Sequence, residues 1–343
     1  MNIIVQKYGG SSVENKKKLE TICNRIISYK KKNIKLVIVV SAMGKTTDNL
    51  IKKAKEFSHS PSKRELDLLL VTGELESVAL LSMMLNEKGY KTIGLTGEQA
   101  GIISDSAYGN ATIKSVYTNN ILNYLNDDYI VVVAGFQAVD RLGNITTLGR
   151  GGSDLSAVAI ASALNAKRCE IYSDIDGVFS ADPKIITRAK LLKKISYNEM
   201  LEAASAGAKV LHNRSVHMGK KNEMPIYVKN SQNNSRGTIV KDITSQERLF
   251  MEEQEDFENY KVKFITKKDD IAKISIIGDM VMTNKDTVHK IFDLASSEHV
   301  TIYMITFSEL SLNLIVDKLV AQDFMQKLHY ELIEKPKIKN EEI

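Results

Sequence analysis

NIIVQKYGGSSVENKKK, residues 2–18, sets the terms for the fold. The apolar start reads as a strand, Gly9-Gly10 as a turn, and the stretch from about Val13 to Lys31 as an amphipathic helix. A glycine turn between a strand and a helix lets backbone N–H groups approach an anion. Lys7, still on the strand, would point a cation at the same anion. The same residues also suit a plain strand–helix turn with a surface lysine. Neither common phosphate template is present, because the lysine precedes its glycines and no G-x-x-x-x-G-K-[ST] or G-x-G-x-x-G follows.

Working outward, the alternation repeats. IKLVIVV (34–40), YKTIGL (90–95), DYIVVVAGF (128–136), KRCEIYSD (167–174) and MPIYVKN (224–230) read as further strands. Helical patterns lie near residues 62–87, 111–125, 153–164 and 198–221. Nearly continuous apolar strands alternating with helices predict an α/β fold, a mainly parallel sheet sandwiched between helices. Ligands in such folds sit beyond the carboxyl ends of the strands, where this chain concentrates Gly, Ser, Thr and Asp. The character changes after SRGTIVKDI (235–243). Residues 244–259, dense in acid and amide, read as a linker helix. From Tyr260 a smaller unit follows in the order β-α-β-β-α, a ferredoxin-like pattern. The expected organisation is a domain at 1–243, a linker at 244–259, a small domain at 260–335 and a frayed tail at 336–343.

The bulk numbers agree with two domains in 343 residues. Net charge is +5, from 47 basic and 42 acidic residues with no basic arm, which argues against nucleic acid as a partner. Two isolated cysteines, Cys23 and Cys169, point to a reducing compartment and away from a disulfide scaffold or a cysteine zinc site. Strand-like sequence from Asn2 leaves no room for a signal peptide, and the apolar run YIVVVAGF (129–136) is shorter than a membrane span. The expectation is a cytoplasmic protein with no membrane partner. The six histidines are scattered, and no His or Cys pair has metal-site spacing.

Five segments carry site chemistry. The first is Lys7 to Ser12. In VVSAMGKTTDNL (39–50), Ser41, Thr46 and Thr47 supply hydroxyls at a helix start, although Thr47 could simply cap that helix. In LLLVTGELESVALLSMML (68–85), Glu74 or Glu76 interrupts an apolar run and must reach solvent or a cationic ligand group. TTLGRGGSD (146–154) packs three glycines with Arg150, Ser153 and Asp154 before an Ala-rich helix. Arginine there suits bidentate capture of a carboxylate or phosphate, with glycine N–H groups at a helix N-terminus beside it. YSDIDGVFSADPKI (172–185) lacks the ligand spacing of an EF-hand; it reads as an adenine or ribose pocket, with Phe179 packing and Lys184 near phosphates, or as a bare turn. GAKVLHNRSV (207–216) then carries Lys209.

In this order the segments resemble the aspartate kinases of the amino-acid-kinase superfamily. The family's K-[FY]-G-G-[TS]-S-V turn is similar to Lys7–Val13, its S-A-M-x-x-x-T segment to Ser41–Thr47, and its G-R-G-G-S-D turn to Gly149–Asp154. The T-D-V-D-G-V-Y-T-A-D-P-R and G-A-K-V-L-H segments match residues 173–184 and 207–212. The resemblance covers about the first 240 residues; MITFSELSLNLIV (304–316) resembles an ACT module. It implies transfer of the ATP γ-phosphoryl group to the β-carboxylate of L-aspartate, the first step of lysine, threonine and methionine biosynthesis. Lys7 and Asp154 would be catalytic, Lys7 stabilising the phosphoryl group and Asp154 orienting it. Thr47, Glu74, Phe136, Arg150 and Ser153 would bind aspartate, Arg150 through the α-carboxylate and Glu74 through the ammonium. Lys7, Gly9, Gly10, Ser11, Ser173, Asp174, Phe179, Lys184 and Lys209 would bind the nucleotide. Mg²⁺ would be held mainly through ATP rather than by a protein cage.

Departures from the family pattern include Phe179 for Tyr, Lys184 for Arg, and Asn213 where Pro is usual. The regulatory region is also shortened, with room for one ACT module where the family carries two. The resemblance therefore implies weak or absent lysine or threonine feedback, and a homodimer formed through the remaining module. The rival readings are a carbamate, acetylglutamate or uridylate kinase of the same fold, and a non-catalytic amino-acid sensor.

Overall fold

The computed structural model describes residues 1–208, 210–242, 262, 265–278, 285–308 and 310–334. The chain divides into two compact units, Met1–Thr266 and Lys267–Ile343. The expected linker helix, the tail, Lys209 and most of residues 260–266 lie outside the described residues.

In chain order the larger unit begins β1 (Ile3–Tyr8), α1 (Lys16–Lys30), β2 (Lys35–Val40), α2 (Thr46–Phe57), α3 (Lys63–Leu70), α4 (Thr72–Glu87) and β3 (Thr92–Leu95). It continues β4 (Ile102–Ser104), β5 (Ile113–Val116), α5 (Asn119–Asn126), β6 (Ile130–Ala134), β7 (Gln137–Val139), β8 (Ile145–Thr147) and α6 (Gly152–Ala163). It closes with β9 (Arg168–Ser173), β10 (Lys194–Ile195), α7 (Tyr197–Ser205), α8 (Asn213–Lys221), β11 (Ile226–Asn230) and β12 (Thr238–Val240). Eight strands form one sheet in the order β10-β12-β11-β9-β1-β2-β6-β3. Its pairs are parallel except β11 with β12. The remaining four make a second sheet, β5-β4-β7-β8.

Strand alternation decides which face of the main sheet each residue serves. On β1, Ile3 and Val5 enter a core shared with Leu155, Ala157 and Val158 of α6. Ile4 and Tyr8 enter the opposite core, with Leu19, Ile22, Cys23 and Ile26 of α1. Both faces are covered, as the continuous apolar strands require. Lys7 therefore belongs to the α6 face, and Gln6 to the α1 face.

The expected strands of the main sheet are all present, but several helix limits differ. The helix expected from Val13 starts at Lys16, because the Asn15 side chain accepts the Lys18 N–H and Gly10–Ser12 forms a separate 3-10 turn. The stretch 62–87 is two helices meeting at Val71. Together they are long and apolar enough to cross a membrane by composition, a stretch the shorter run at 129–136 does not represent, but half of that apolar window is buried inside the unit. The helix expected at 111–125 begins only at Asn119, since β5 pairs antiparallel with β4 before α5 begins. The stretch 198–221 breaks into α7, with a Ser196/Glu199 capping box, and α8, with His212 as its N-cap. Asn213 is thus the first residue of α8, the position where proline is favoured because its missing N–H costs nothing there.

The smaller unit contains β13 (Ile271–Ile277), α9 (Lys285–Ser297), β14 (Ile302–Ser308), β15 (Ser311–Asp317) and α10 (Ala321–His329). Its strands pair antiparallel in the order β13-β15-β14. Leu312, Leu314 and Val316 alternate along β15 into a core with Ile291 of α9 and Phe324 and Leu328 of α10. The β-α-β-β-α order is that of an ACT-like module.

Candidate active site

The carboxyl ends of β1, β2 and β6 meet the N-terminus of α6 around a cavity of about 260 Å³. Lys7, Ser41, Thr47, Glu74, Phe136 and the turn Gly149–Asp154 line it. Every substrate or catalytic residue expected from the sequence is in this one place.

Lys7 reaches it because the alternation of β1 turns its side chain toward α6. Its Nζ lies 2.6 Å from Asp154 Oδ1, with both side chains largely buried. Asp154 stands in the first turn of α6, where the helix dipole favours a carboxylate. Gly9 keeps this corner open, since a Cβ there would stand 3.3 Å from the Lys7 ammonium. Its N–H is not offered to a ligand, however: it donates to Tyr172 O at 3.2 Å. Gly9 therefore contributes room, and the N–H groups at the start of the 3-10 turn, those of Gly10 and Ser11, are what the turn can present. Gly10 is glycine for another reason, because a Cβ would meet Ala42 O at 2.7 Å. Ala42 precedes α2, whose N-cap is Lys45, so Thr47 is not a capping residue and its hydroxyl is left to the cavity.

Glu74 settles the alternative with Glu76. It is only 3% exposed, while Glu76 is solvent-exposed. One carboxyl oxygen accepts the Ala42 N–H at 3.1 Å; Oε2 is buried with no partner. Burial pushes its pKa up to about 7 against the pull of the backbone hydrogen bonds. A buried acceptor facing a cavity wants a donor, and a cationic one would hold it ionised.

The turn before α6 needs its glycines. Gly149 (φ 74°) and Gly151 (φ 71°) are both left-handed, on either side of Arg150, whose side chain is exposed at the cavity. Phe136 also has positive φ, 68°, a strained choice for an aromatic residue at a ligand site. Its N–H donates to Ser156 Oγ and its carbonyl accepts the Leu148 N–H, which holds the ring beside Gly152. A Cβ on Gly151 would stand 2.4 Å from His212 Cβ. Gly151→Ala is therefore expected to lower kcat/KM for the acceptor at least ~10-fold and to destabilise the fold by about 2 kcal/mol, the strain of a left-handed alanine before any clash. Steady-state kinetics and urea unfolding check both.

Two residues passed over in the sequence fasten this turn. Asp67 of α3 is buried; its Oδ2 accepts the N–H groups of Gly109 and Thr147, and its Oδ1 the Thr147 hydroxyl at 2.7 Å. Arg214 of α8 donates to the carbonyls of Leu148 and Ala111 and to Asn110 Oδ1. The signal for Asp67 is a carboxylate set directly before the apolar run Leu68–Leu70; Arg214 offers none beyond its place after Leu211-His212. His212 caps α8 against Gly151, and burial holds its imidazole below the usual range, consistent with a packing role.

The expected nucleotide residues form a separate group at the end of β9. Ser173, Asp174 and Phe179 follow Tyr172, whose carbonyl holds Gly9, so this segment borders the Lys7 turn. Phe179 is half-buried and bridges to Leu191; Lys184 is exposed. None of these four lines the cavity itself. Among the described residues no three His, Cys, Asp or Glu side chains cluster as a metal site.

Comparison with known proteins gives the family. Residues 2–230 match the model of the amino acid kinase family. An aspartokinase of Geobacillus stearothermophilus is 38% identical over 393 aligned positions, covering 96% of this chain and 97% of the relative. That alignment is longer than the 343-residue chain, so the relative carries internal sequence absent here. An aspartokinase of Helicobacter pylori is 49% identical over 238 residues, 69% of this chain; the chain spans 59% of that relative's length. The solved aspartate kinase from Synechocystis superposes with a TM-score of 0.65 at 29% identity, over 99% of this chain and 71% of that one. The chain belongs to the amino acid kinase family. Within it the aspartokinases are its kin, and it is a kinase.

Proposed function

We propose that the cavity binds L-aspartate and that the chain transfers the γ-phosphoryl group of ATP to its β-carboxylate, giving 4-phospho-L-aspartate. The observation that carries this reading is the unpartnered Glu74 Oε2, buried in the same cavity as Lys7 and Arg150. An amino acid with two carboxylates has one group for each. Its ammonium meets Glu74, its α-carboxylate meets Arg150, and its β-carboxylate points toward Lys7, with Thr47, Phe136 and Ser153 closing the pocket.

A carboxylate of pKa about 4 is already ionised at neutral pH, so the nucleophile needs no general base. The work left is positioning and neutralisation of charge on the transferring group. Lys7 supplies the cation, Asp154 fixes its direction, and the amide groups at the start of α6 add partial positive charge. Ser173, Asp174, Phe179, Lys184 and Lys209 hold the nucleotide, with Gly10 and Ser11 at its phosphates. Mg²⁺ travels on the nucleotide, since the carboxylate nearest Lys7, Asp154, is committed to the ion pair.

The chain acts in the cytoplasm, at the head of the pathway to lysine, threonine and methionine, as a homodimer joined through its ACT-like module. With internal sequence missing relative to the Geobacillus enzyme, feedback by lysine or threonine is weak or absent. ATP-dependent hydroxamate formation with aspartate, glutamate, carbamate or UMP tests the assignment. Turnover with aspartate alone is expected; none with aspartate refutes it. Strong inhibition by millimolar lysine or threonine in the same assay refutes the regulatory part.

A further inference from the structure

The α1 face of the main sheet carries a buried polar cluster that the phosphoryl chemistry does not use. Glu170 of β9 is fully buried. Its Oε2 accepts from Gln6 Nε2 at 2.8 Å and Tyr172 OH at 3.1 Å. Its Oε1 accepts from Arg168 Nε at 2.8 Å and Tyr29 OH at 3.1 Å. Tyr29 lies on α1, so this carboxylate ties the helix to β1 and β9. One turn earlier on the same face of α1 stands Arg25. Its guanidinium lies 4.6 Å from the Tyr172 ring centroid. Nη1 donates to Asn230 O at 3.0 Å, and Nη2 to Ser231 O at 3.1 Å and Asn233 O at 2.6 Å.

Those carbonyls belong to the loop leaving β11, which is itself laced to the segment leaving β9. Ser231 N–H donates to Ser173 O at 2.8 Å, Asn230 Nδ2 to Asp174 O at 3.3 Å, and both Asn230 and Asn233 donate to Asp176 Oδ1. Three carbonyls converging on one cation is an arrangement a surface loop does not reach without that cation.

We infer that Arg25 is a positioning residue for the nucleotide: it holds the 230–233 loop against residues 173–176 and so shapes the base and ribose side of the site without touching the reacting atoms. This rests on the reading of residues 173–184 as the nucleotide segment. Arg25 faces away from the aspartate cavity, so its loss acts on one substrate only.

The test is fluorescence titration of the full chain with N-methylanthraniloyl-ADP, alongside steady-state kinetics. In Arg25→Ala the dissociation constant for this probe and the KM for ATP should both rise roughly 10-fold, the weight of about one hydrogen bond to a charged group. KM for aspartate and kcat at saturating ATP should stay within about twofold. Arg25→Lys, which keeps the charge but not the fork, should fall between. Asp176→Ala should weaken the probe similarly, and its combination with Arg25→Ala should be less than additive. Wild-type probe affinity in a folded Arg25→Ala, or equal rises in both KM values, overturns the inference. If Arg25→Ala does not fold, Arg25→Lys decides it: weaker probe binding supports the role and unchanged binding overturns it. A wild-type chain that binds the probe but does not phosphorylate aspartate refutes the acceptor assignment and leaves Arg25 tested. A wild-type chain that does not bind the probe overturns the role of Arg25.

Discussion

Lys7→Ala should cut kcat for aspartate phosphorylation by about 10³-fold, the scale for losing a preorganised group that stabilises transition-state charge. The KM for aspartate should change little, because the lysine meets the transferring phosphoryl group rather than the groups that bind the amino acid. The same substitution leaves the Asp154 carboxylate in a largely buried place without its cation. Breaking a buried pair from one side costs roughly 3–5 kcal/mol, so a fall in Tm should accompany the loss of turnover. The two effects can be separated. Lys7→Ala combined with Asp154→Asn removes the stranded charge and should recover much of the Tm while kcat stays at the single-mutant level. Recovery of activity along with stability would mean that Lys7 serves the fold alone.

The second large effect belongs to Glu74. With its pKa pushed up to about 7 by burial, much of the free protein holds this side chain neutral at and below neutral pH. Only the carboxylate pairs with a substrate ammonium. The kcat/KM for aspartate should therefore rise with pH through about 7 and level off above it, while KM for ATP stays flat. Glu74→Gln should raise the aspartate KM about 100-fold, near the cost of a lost charge-assisted contact, and should abolish that pH step. Stability runs the other way. The folded pKa is above the ordinary value of 4.5, so the folded state binds the extra proton between 4.5 and about 7. That contribution is fully present below 4.5 and is lost as pH rises through 7, a span worth up to about 3 kcal/mol. Glu74→Gln should thus unfold at higher urea than the wild type at pH 8, with the difference shrinking at pH 5. A pH-independent kcat/KM for aspartate would remove Glu74 from the binding site.

How much of this was legible beforehand follows from what each signal depends on. β1, β2, β6 and β9 are buried on both faces, so their apolar runs were unmistakable, and the strand–glycine–helix grammar placed Lys7 and the 149–154 turn. The second sheet was not legible. Its strands, such as Ile102–Ser104 and Gln137–Val139, are three residues long and take their identity from partners far along the chain. α7 and α8 read as one stretch because Ala206 to Leu211 keeps a helical composition, although α7 ends at Ser205 and α8 starts only at Asn213. Within the site, residues whose type is odd for their surroundings were found: a glutamate in an apolar helix, an arginine between glycines. Asp67 and Arg214 act on backbone atoms of a loop 42 to 103 positions away in sequence, and a bond to a carbonyl or an amide leaves no mark on the identity of its partner.

β1 also constrains how this gene can vary. Its odd positions serve α6 and end in Lys7, paired with Asp154; its even positions serve α1 and reach the Gln6–Glu170 cluster. A single-codon insertion or deletion between Ile3 and Lys7 would exchange the two faces at a stroke, sending the ammonium into the tyrosine cluster and an amide to Asp154. Within the strand the sequence can be altered only by substitution.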